Sequence, residues 1–380
     1  MSKKIKIALL TERRADYSRF KPILNKIKKD NKLEYNLIVT GMHLLSSTGK
    51  TIDEIKRDGF KISKKINMFK VNTGDGFSMI NGISNILSPL AKHLKKEKPD
   101  IILSGFDIGG NFSITIVGAH LNIPIAHIQG GERSGSIDES LRHSMSKFSN
   151  YHFVATQEAK RRLIKMGEKK DDIFVVGCPS IDALKEAKTV KLEILSKKFN
   201  FNFLQPYLLC IQHPITTENE ISKEQIKETL VALKKIKLPI FFIMPNNDSG
   251  FRQIVKEIKF SNFKYTPTLD LSEYKTILKN CSMLIGNSSS GIHEAATFKK
   301  PVINIGSRQK NRFKSFNVID VKNKSSEIYK KIKYALENKK FQKKIKNIVN
   351  PYGDGNSSAK ILKILKKLNL QTNTQKINTY

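Results

Sequence analysis

Tryptophan is absent from the 380 residues, cysteine occurs three times, and acidic side chains are outnumbered two to one, with 34 Asp+Glu against 68 Lys+Arg and a formal net charge of +34. Each shortage excludes something. Cys178, Cys210 and Cys281 lie far apart and form no paired metal-ligand spacing, so neither a structural zinc site nor a disulfide scaffold is expected, and a reducing cytoplasm is the expected location. The opening MSKKIKIALLTERR has a basic start, but its apolar run is short and split by Lys6. It is expected to form a first strand rather than a signal sequence. No apolar run approaches the ~18 residues of a membrane span. The chain also lacks a Walker-type Gly-Lys-Ser/Thr, a GxGxxG fingerprint and any His/Cys cluster, which disfavours a P-loop nucleotidase, a nicotinamide cofactor and a bound metal. No repeat of 20–50 residues is visible, so a solenoid is not expected.

What is present describes a folded chain. Hydrophobic residues make up 39% and charged residues 27%, enough apolar material to offset the entropy of ordering. The length suits roughly two domains of ~150 residues. The positive excess admits two readings, an anionic polymer or membrane as partner, or a solvated lysine surface. The basic residues are mostly Lys, spread from Lys3 to Lys376, with no aromatic-interleaved patch. That favours the solvated surface, with neither nucleic acid nor membrane as partner.

Short apolar runs recur with amphipathic stretches between them. Residues 4–10, 35–40, 100–105, 123–128 and 151–156 are expected to be buried strands, and 17–29, 77–97 and 157–166 helices. The pattern restarts with strands at 207–212, 240–245, 281–286 and 301–306 and helices near 222–236, 272–279 and 291–298. Strand-helix alternation predicts an α/β class with parallel sheets. Two successive halves predict two Rossmann-like domains facing across a cleft, with strand C-terminal ends supplying the ligand site. The boundaries are expected at 1–177 and 178–356, with a linker over 177–202, a helix at 357–368 crossing back to the first domain, and a flexible tail at 369–380.

Three segments concentrate chemistry. IGNSSSGIHEAATFKKPVINIG places serines, backbone N–H groups and a helix start after a strand, an arrangement suited to phosphate, although a Ser-rich N-cap would look the same. Glu294 is placed one turn in, where it could meet a ribose diol, and Arg308 and Arg312 beyond the next strand favour an anion. In SGFDIGGNF and IPIAHIQGGERSGSIDESLRH, Asp107, Gln129, Glu132, Asp138 and His143 follow two neighbouring strands, where general acids and bases collect. Glu139 and Arg142 read as a helix-surface ion pair, and His143 also suits a packed helix position. His213 ends the strand 207–212 before Pro214; Asn246 and Asp248 follow the strand 240–245; Arg14 lies in a basic loop opening a helix.

These residues together resemble the hydrolysing UDP-N-acetylglucosamine 2-epimerases and their relatives acting on UDP-diacetamido-trideoxyhexoses. The likeness runs in order through RADYS, GMHL, HIQGGERSGSIDESLRH, VGCPSIDAL, QHPITTE, PNNDSG, GNSSSG, PVINIGSRQ and NPYGDGNSS. It implies a glycosyltransferase-B-type fold, a UDP-sugar substrate, no cofactor and a homodimer. Carried over position by position, it implies UDP contacts at Arg14, Asn246, Ser288, Ser289, Glu294 and Arg308, with His213 near the diphosphate, and catalytic carboxylates at Asp107 and Asp138. Gln129 stands where the family usually has Glu, and Phe106 and Ile108 flank Asp107 in place of the family's Gly and Arg. An amide cannot abstract a proton, so Glu132 or Asp138 is expected to take that work beside Asp107. The reaction implied is loss of UDP to a 2-acetamidoglycal, then rehydration to free N-acetylmannosamine. The same reaction on a diacetamido-trideoxy sugar, a non-hydrolysing epimerase and a glycosyltransferase of similar fold are the alternatives.

Overall fold

The computed structural model describes residues 3–46, 51–69, 75–106, 108–246, 248–370 and 376–379. The chain divides into a first unit, Met1–Glu132 with Asp138–Ala183 and Tyr352–Tyr380, and a second unit, Arg133–Ile137 with Leu184–Pro351.

The first unit carries seven parallel strands: β1 (Ile5–Thr11), β2 (Leu33–Val39), β3 (Ile62–Lys65), β4 (Ile101–Gly105), β5 (Ile125–Ile128), β6 (Tyr151–Val154) and β7 (Ile173–Val175), in the order β3-β2-β1-β4-β5-β6-β7. Period-two alternation divides β1 between two cores. Ile7 and Leu9 pack with Phe20 and Ile23 of the helix Arg14–Lys29, while Ala8 and Leu10 pack with Leu90 and Leu94 of the helix Gly76–Glu97. Both faces being covered, the strand is apolar from Ile7 to Leu10.

The second unit repeats the plan with β8 (Leu208–Ile211), β9 (Ile240–Ile243), β10 (Lys264–Thr266), β11 (Met283–Gly286), β12 (Val302–Ile305) and β13 (Val318–Val321), in the order β10-β9-β8-β11-β12-β13. Leu208 and Cys210 enter one core, Leu209 and Ile211 the other. In each unit the strand order reverses once, at β1/β4 and at β8/β11. Such a reversal leaves a crevice at the carboxyl ends of the two strands.

The strands β3, β7, β10 and β13, which the apolar runs do not predict, are the four sheet edges. Each is partly exposed; β3, β10 and β13 carry polar residues, and β7, though apolar as Ile-Phe-Val, is only three residues long.

The expected break at 177/178 differs from the observed division, which keeps Cys178–Ala183 with the first unit. Hydrogen bonds to the returning chain explain it. The Cys178 amide donates to the Tyr352 carbonyl at 2.7 Å, and the buried Asp182 accepts from the amides of Ser357 (3.1 Å) and Ser358 (2.7 Å) and from the Ser358 hydroxyl. Asp182 thereby caps the helix Ser357–Leu365, whose Ile361, Leu362 and Leu365 share a core with the helix Arg14–Lys29. Asp182→Ala leaves three buried donors unmet and is expected to destabilise the first unit by ~3 kcal/mol in urea unfolding. A loss under ~1 kcal/mol would show that the cap does not hold the crossover.

The tail expected to be flexible is seated at its described end. Lys376 donates to the carbonyls of Ser146 (2.7 Å) and Lys147 (3.0 Å) and pairs with the buried Glu168 at 2.5 Å. Burial alone would raise the Glu168 carboxyl, but hydrogen bonds from His152 and Lys376 outweigh it and hold the group at about 2. All three cysteines are buried, and burial pushes the Cys178 and Cys281 thiols up to about 12, which leaves them protonated and poor nucleophiles. Among the described residues no helix is long and apolar enough to cross a membrane.

Candidate active site

In the second unit the chemistry gathers at the β8/β11 reversal. β11 ends at Gly286 with φ +121°, where a Cβ would lie 2.0 Å from the Ile211 carbonyl oxygen, so only glycine lets the two strand ends approach. The next residue, Asn287, is 1% exposed and joins the ends like a peptide group. Its Oδ1 accepts from the His213 amide at 2.7 Å and its Nδ2 donates to the His213 carbonyl at 2.9 Å. The Asn246 amide donates to His213 Nδ1 at 3.0 Å. Nδ1 is therefore the acceptor, and the neutral ring carries its proton on Nε2 as a donor.

Arg308 reaches the same junction, with Nη1 3.3 Å from the Asn287 carbonyl and Nη2 3.7 Å from Asp248 Oδ2. Gln309 Nε2 donates to the same carbonyl at 2.9 Å. Arg312, expected to bind an anion, is instead a clamp: it donates to Gln309 Oε1 (2.8 Å) and to the Arg133 carbonyl (3.0 Å). The Gly135 amide donates to the Arg308 carbonyl at 2.9 Å, and a Cβ on Gly135 would lie 2.0 Å from the Ser307 carbonyl oxygen. Those contacts are why Arg133–Ile137 belongs with the second unit.

The serine segment begins its helix earlier, and ends it sooner, than the sequence suggests. Ser288 is the N-cap, its Oγ 3.0 Å from Ser290 Oγ, and the helix Ser289–His293 gives way to a 3-10 turn at Ala295–Phe298. One helical turn supplies little macrodipole, so anion affinity here has to come from hydroxyls and guanidinium groups. Glu294 is 9% exposed and accepts from the Tyr274 hydroxyl at 2.9 Å. Burial, with the Glu294 charge beside it, raises the Tyr274 phenol far above its ordinary range and keeps it a donor.

In the first unit β1 runs into Glu12, whose buried carboxylate accepts from the Gly110 amide at 2.7 Å. Asp16 completes a capping box under Arg13, and Arg14 opens the helix with Nε 2.9 Å from Glu54 Oε2. That carboxylate occupies one edge of the guanidinium expected to meet phosphate. Asp107 lies outside the described residues. Beside it, Phe106 packs its ring 5.0 Å from Phe20 and under the Arg19 guanidinium, which accounts for an aromatic residue at that position. After β5, Gln129 Nε2 donates to Glu132 Oε1 at 3.0 Å, and both side chains are almost fully buried. Asp138, half-buried, begins the helix Asp138–Phe148. The expected surface placement of Glu139 and Arg142 differs from what is seen for the arginine. Arg142 is 2% exposed and donates to the Glu132 carbonyl at 2.9 Å, and Glu139 lies 3.8 Å from His143.

His43 is sealed between the hydroxyls of Thr11 (3.0 Å) and Thr51 (2.7 Å). Burial, aided by the Arg14 charge, lowers it to about 3. The unfolded chain takes up a proton near the ordinary value of 6.5 and the folded chain does not until about 3, so stability from this group is lost as pH falls through that window. Between pH 7 and pH 5 the first unit is expected to lose on the order of 2 kcal/mol more in the native chain than in His43→Gln. Parallel pH dependences in urea unfolding would contradict this.

Sequence reasoning passed over Asn287, Gln309, Tyr274 and Glu12. Only Asn287 carried a signal, a lone amide after a strand-ending glycine.

A sequence profile described as UDP-N-acetylglucosamine 2-epimerase matches residues 25–366. The UDP-N,N'-diacetylbacillosamine 2-epimerase (hydrolyzing) of Legionella pneumophila is 36% identical over 380 residues, 99% of each chain. A UDP-N-acetylglucosamine 2-epimerase of Neisseria meningitidis serogroup B is 31% identical over 340 residues, 89% of each chain. The crystal structure of a UDP-GlcNAc 2-epimerase from Neisseria meningitidis, 22% identical, superposes with a TM-score of 0.82 over 96% of this chain and 100% of that one. The fold, two Rossmann-like parallel units, is thus of the glycosyltransferase-B class. With the profile covering most of its length and a relative matching it end to end, the chain belongs to the UDP-N-acetylglucosamine 2-epimerase family.

Proposed function

We propose that this 2-epimerase is of the hydrolysing kind and converts a UDP-linked 2-acetamido sugar into UDP and the free 2-epimeric sugar. The substrate we favour is a UDP-2,4-diacetamido-2,4,6-trideoxyhexose, since the full-length relative at 36% identity is named for a sugar of that type. UDP-N-acetylglucosamine, giving N-acetylmannosamine, is the second reading, supported by the relative at 31%.

The observation that carries the reaction is the junction of His213, Asn287 and Arg308. An imidazole with its Nε2–H kept as donor and a guanidinium beside it suit an oxygen that gains negative charge. Arg308, Ser288 and Ser289 would hold the diphosphate, Asn246 and Glu294 the uridine end, and Arg14 a phosphate oxygen after exchanging Glu54. The C2 proton of the sugar is not acidic, because no carbonyl adjoins it. The anomeric C–O bond therefore loosens first, and UDP departs with the bonding pair while His213 donates to its phosphate oxygen. Oxocarbenium character at C1 then acidifies C2–H, and a carboxylate removes that proton to leave the 2-acetamidoglycal. Asp107 is the base we assign. Glu132 or Asp138 returns a proton to C2 on the other face as water adds to C1, which closes the balance at UDP plus free sugar.

The test follows label. In D₂O the released sugar is expected to carry deuterium at C2, and ¹⁸O-water is expected to label C1. A product unlabelled at C2 would sink the elimination, and a UDP-linked epimer without free sugar would show the non-hydrolysing reaction. Supplying both UDP-sugars and measuring UDP release decides the substrate.

A further inference from the structure

Gln129 combines two features that folding alone does not favour. Its backbone leaves β5 at φ +60°, a left-handed conformation that a side chain with a Cβ rarely adopts. Its side chain is 3% exposed, and among the described residues no donor meets its Oε1. The neighbouring Glu132 carboxylate fixes which way the amide points, since Nε2 is the atom that can donate to Glu132 Oε1 at 3.0 Å, and the reverse orientation would set two acceptors against each other. The orphan oxygen is thus a property of the fold.

The turn that holds this residue is itself rigid. The Gln129 amide donates to the Phe153 carbonyl at 2.8 Å. A Cβ on Gly130 would come within 2.9 Å of His127 and Ser146, and one on Gly131, at φ +74°, within 2.5 Å of the Ala159 carbonyl oxygen. Two arginines grip the carbonyls that follow, Arg162 on Gly131 at 2.6 Å and Arg142 on Glu132 at 2.9 Å. A buried acceptor without a donor, held in a strained turn that cannot relax toward one, is the mark of a ligand contact.

We infer that Gln129 is a specificity-determining residue: its Oε1 accepts a hydrogen bond from one hydroxyl or acetamido N–H of the sugar, while its Nε2–H steadies the Glu132 carboxylate. The inference rests on the UDP-sugar reading above and deepens it. A lone acceptor selects for a donor at that point of the ring and discriminates against a sugar that has only hydrogen there, because the missing group leaves the amide oxygen unmet.

The experiment couples residue to substrate. On whichever UDP-sugar the native enzyme hydrolyses, single ring hydroxyls, or the acetamido N–H by N-methylation, are removed one at a time, and kcat/KM is measured for the native chain, Gln129→Met and Gln129→Glu. One analogue is expected to lose about 100-fold or more with the native chain but within about threefold with Gln129→Met, which has no acceptor left to strand. Gln129→Glu retains an acceptor of the same size. It is expected to keep the native penalty for that analogue while kcat falls about 10- to 100-fold through loss of the donor to Glu132. UDP binding by calorimetry, expected within threefold of native in both variants, checks that each is folded, and Gln129→Glu carries the test if Gln129→Met is not. A penalty that every analogue shows equally in the native chain and Gln129→Met, or a native kcat in Gln129→Glu, overturns the assignment. A native chain that releases no UDP from either parent sugar overturns the reading of the reaction instead.

Discussion

Replacing His213 by Asn is expected to lower kcat about 100- to 1,000-fold while weakening UDP binding less than tenfold. The two effects separate because the imidazole has two jobs with different chemistry. Nδ1 accepts from the Asn246 amide and shapes the turn after β9; an Asn side-chain oxygen can accept at that position, so the turn and the groups on it persist. Nε2–H is the hydrogen-bond donor we assign to the departing phosphate oxygen, and the shorter Asn side chain, with its oxygen on the Asn246 amide, places no donor at that point. Steady-state rates with either UDP-sugar and calorimetry with UDP alone make the comparison. A variant retaining more than a tenth of native turnover would remove His213 from stabilising the departing phosphate and leave it a structural role.

Replacing Asn287 by Asp is expected to be more damaging to the fold than its size suggests. The native side chain both accepts from and donates to the backbone of His213, and it does so at 1% exposure. The carboxylate keeps the acceptor, but its second oxygen would face the His213 carbonyl. A buried acceptor pair and an unpaired buried charge together cost on the order of 3–5 kcal/mol. The same junction carries Arg308 and Gln309 on the Asn287 carbonyl, so UDP affinity should fall with stability. Burial raises the introduced carboxyl, and a group raised on folding contributes most when protonated. The deficit of Asn287→Asp against native should therefore shrink from pH 8 to pH 5. Asn287→Ala, which introduces no charge, is expected to show a deficit independent of pH. Equal deficits for Asp at both pH values would mean that the second oxygen does not face the carbonyl.

Much of the framework is legible before any coordinates. The central strands of both sheets are short apolar runs because helices cover both faces, and the period of their burial is written in the residues themselves. The edge strands β3, β10 and β13 are not legible in this way, since an edge needs no continuous apolar surface and Ile62–Lys65 looks like a polar loop, and β7 is an apolar run of only three residues. The crossover at 177–182 and 352–358 is half legible. The motifs VGCPSIDAL and NPYGDGNSS are visible, but that Asp182 of one caps the helix begun by Ser357 of the other depends on two segments more than 170 residues apart meeting in space.

The candidate site residues divide along the same line. Glu132, His213, Ser288 and Arg308 are recognisable because polar side chains gather where predicted strands stop, and strand ends are set by local pattern. Their environments are not recognisable. Arg142 looked like half of a surface ion pair and is a buried clamp on Glu132; Arg312 looked like an anion ligand and spends its donors on Arg133 and Gln309. A charged side chain's role depends on which partner's carbonyl or carboxylate lies within about 3 Å, and no spacing rule supplies that distance. The sequence by itself determined a two-unit parallel α/β enzyme with its polar chemistry at the strand ends, since hydrophobic period and turn chemistry are local. Only the tertiary structure decided that Asn287 sutures β8 to β11, that His213 presents its Nε2 proton, and that Gln129 keeps an acceptor in reserve. Hydrogen bonds between distant segments, formed as their donors and acceptors left water together, made those choices.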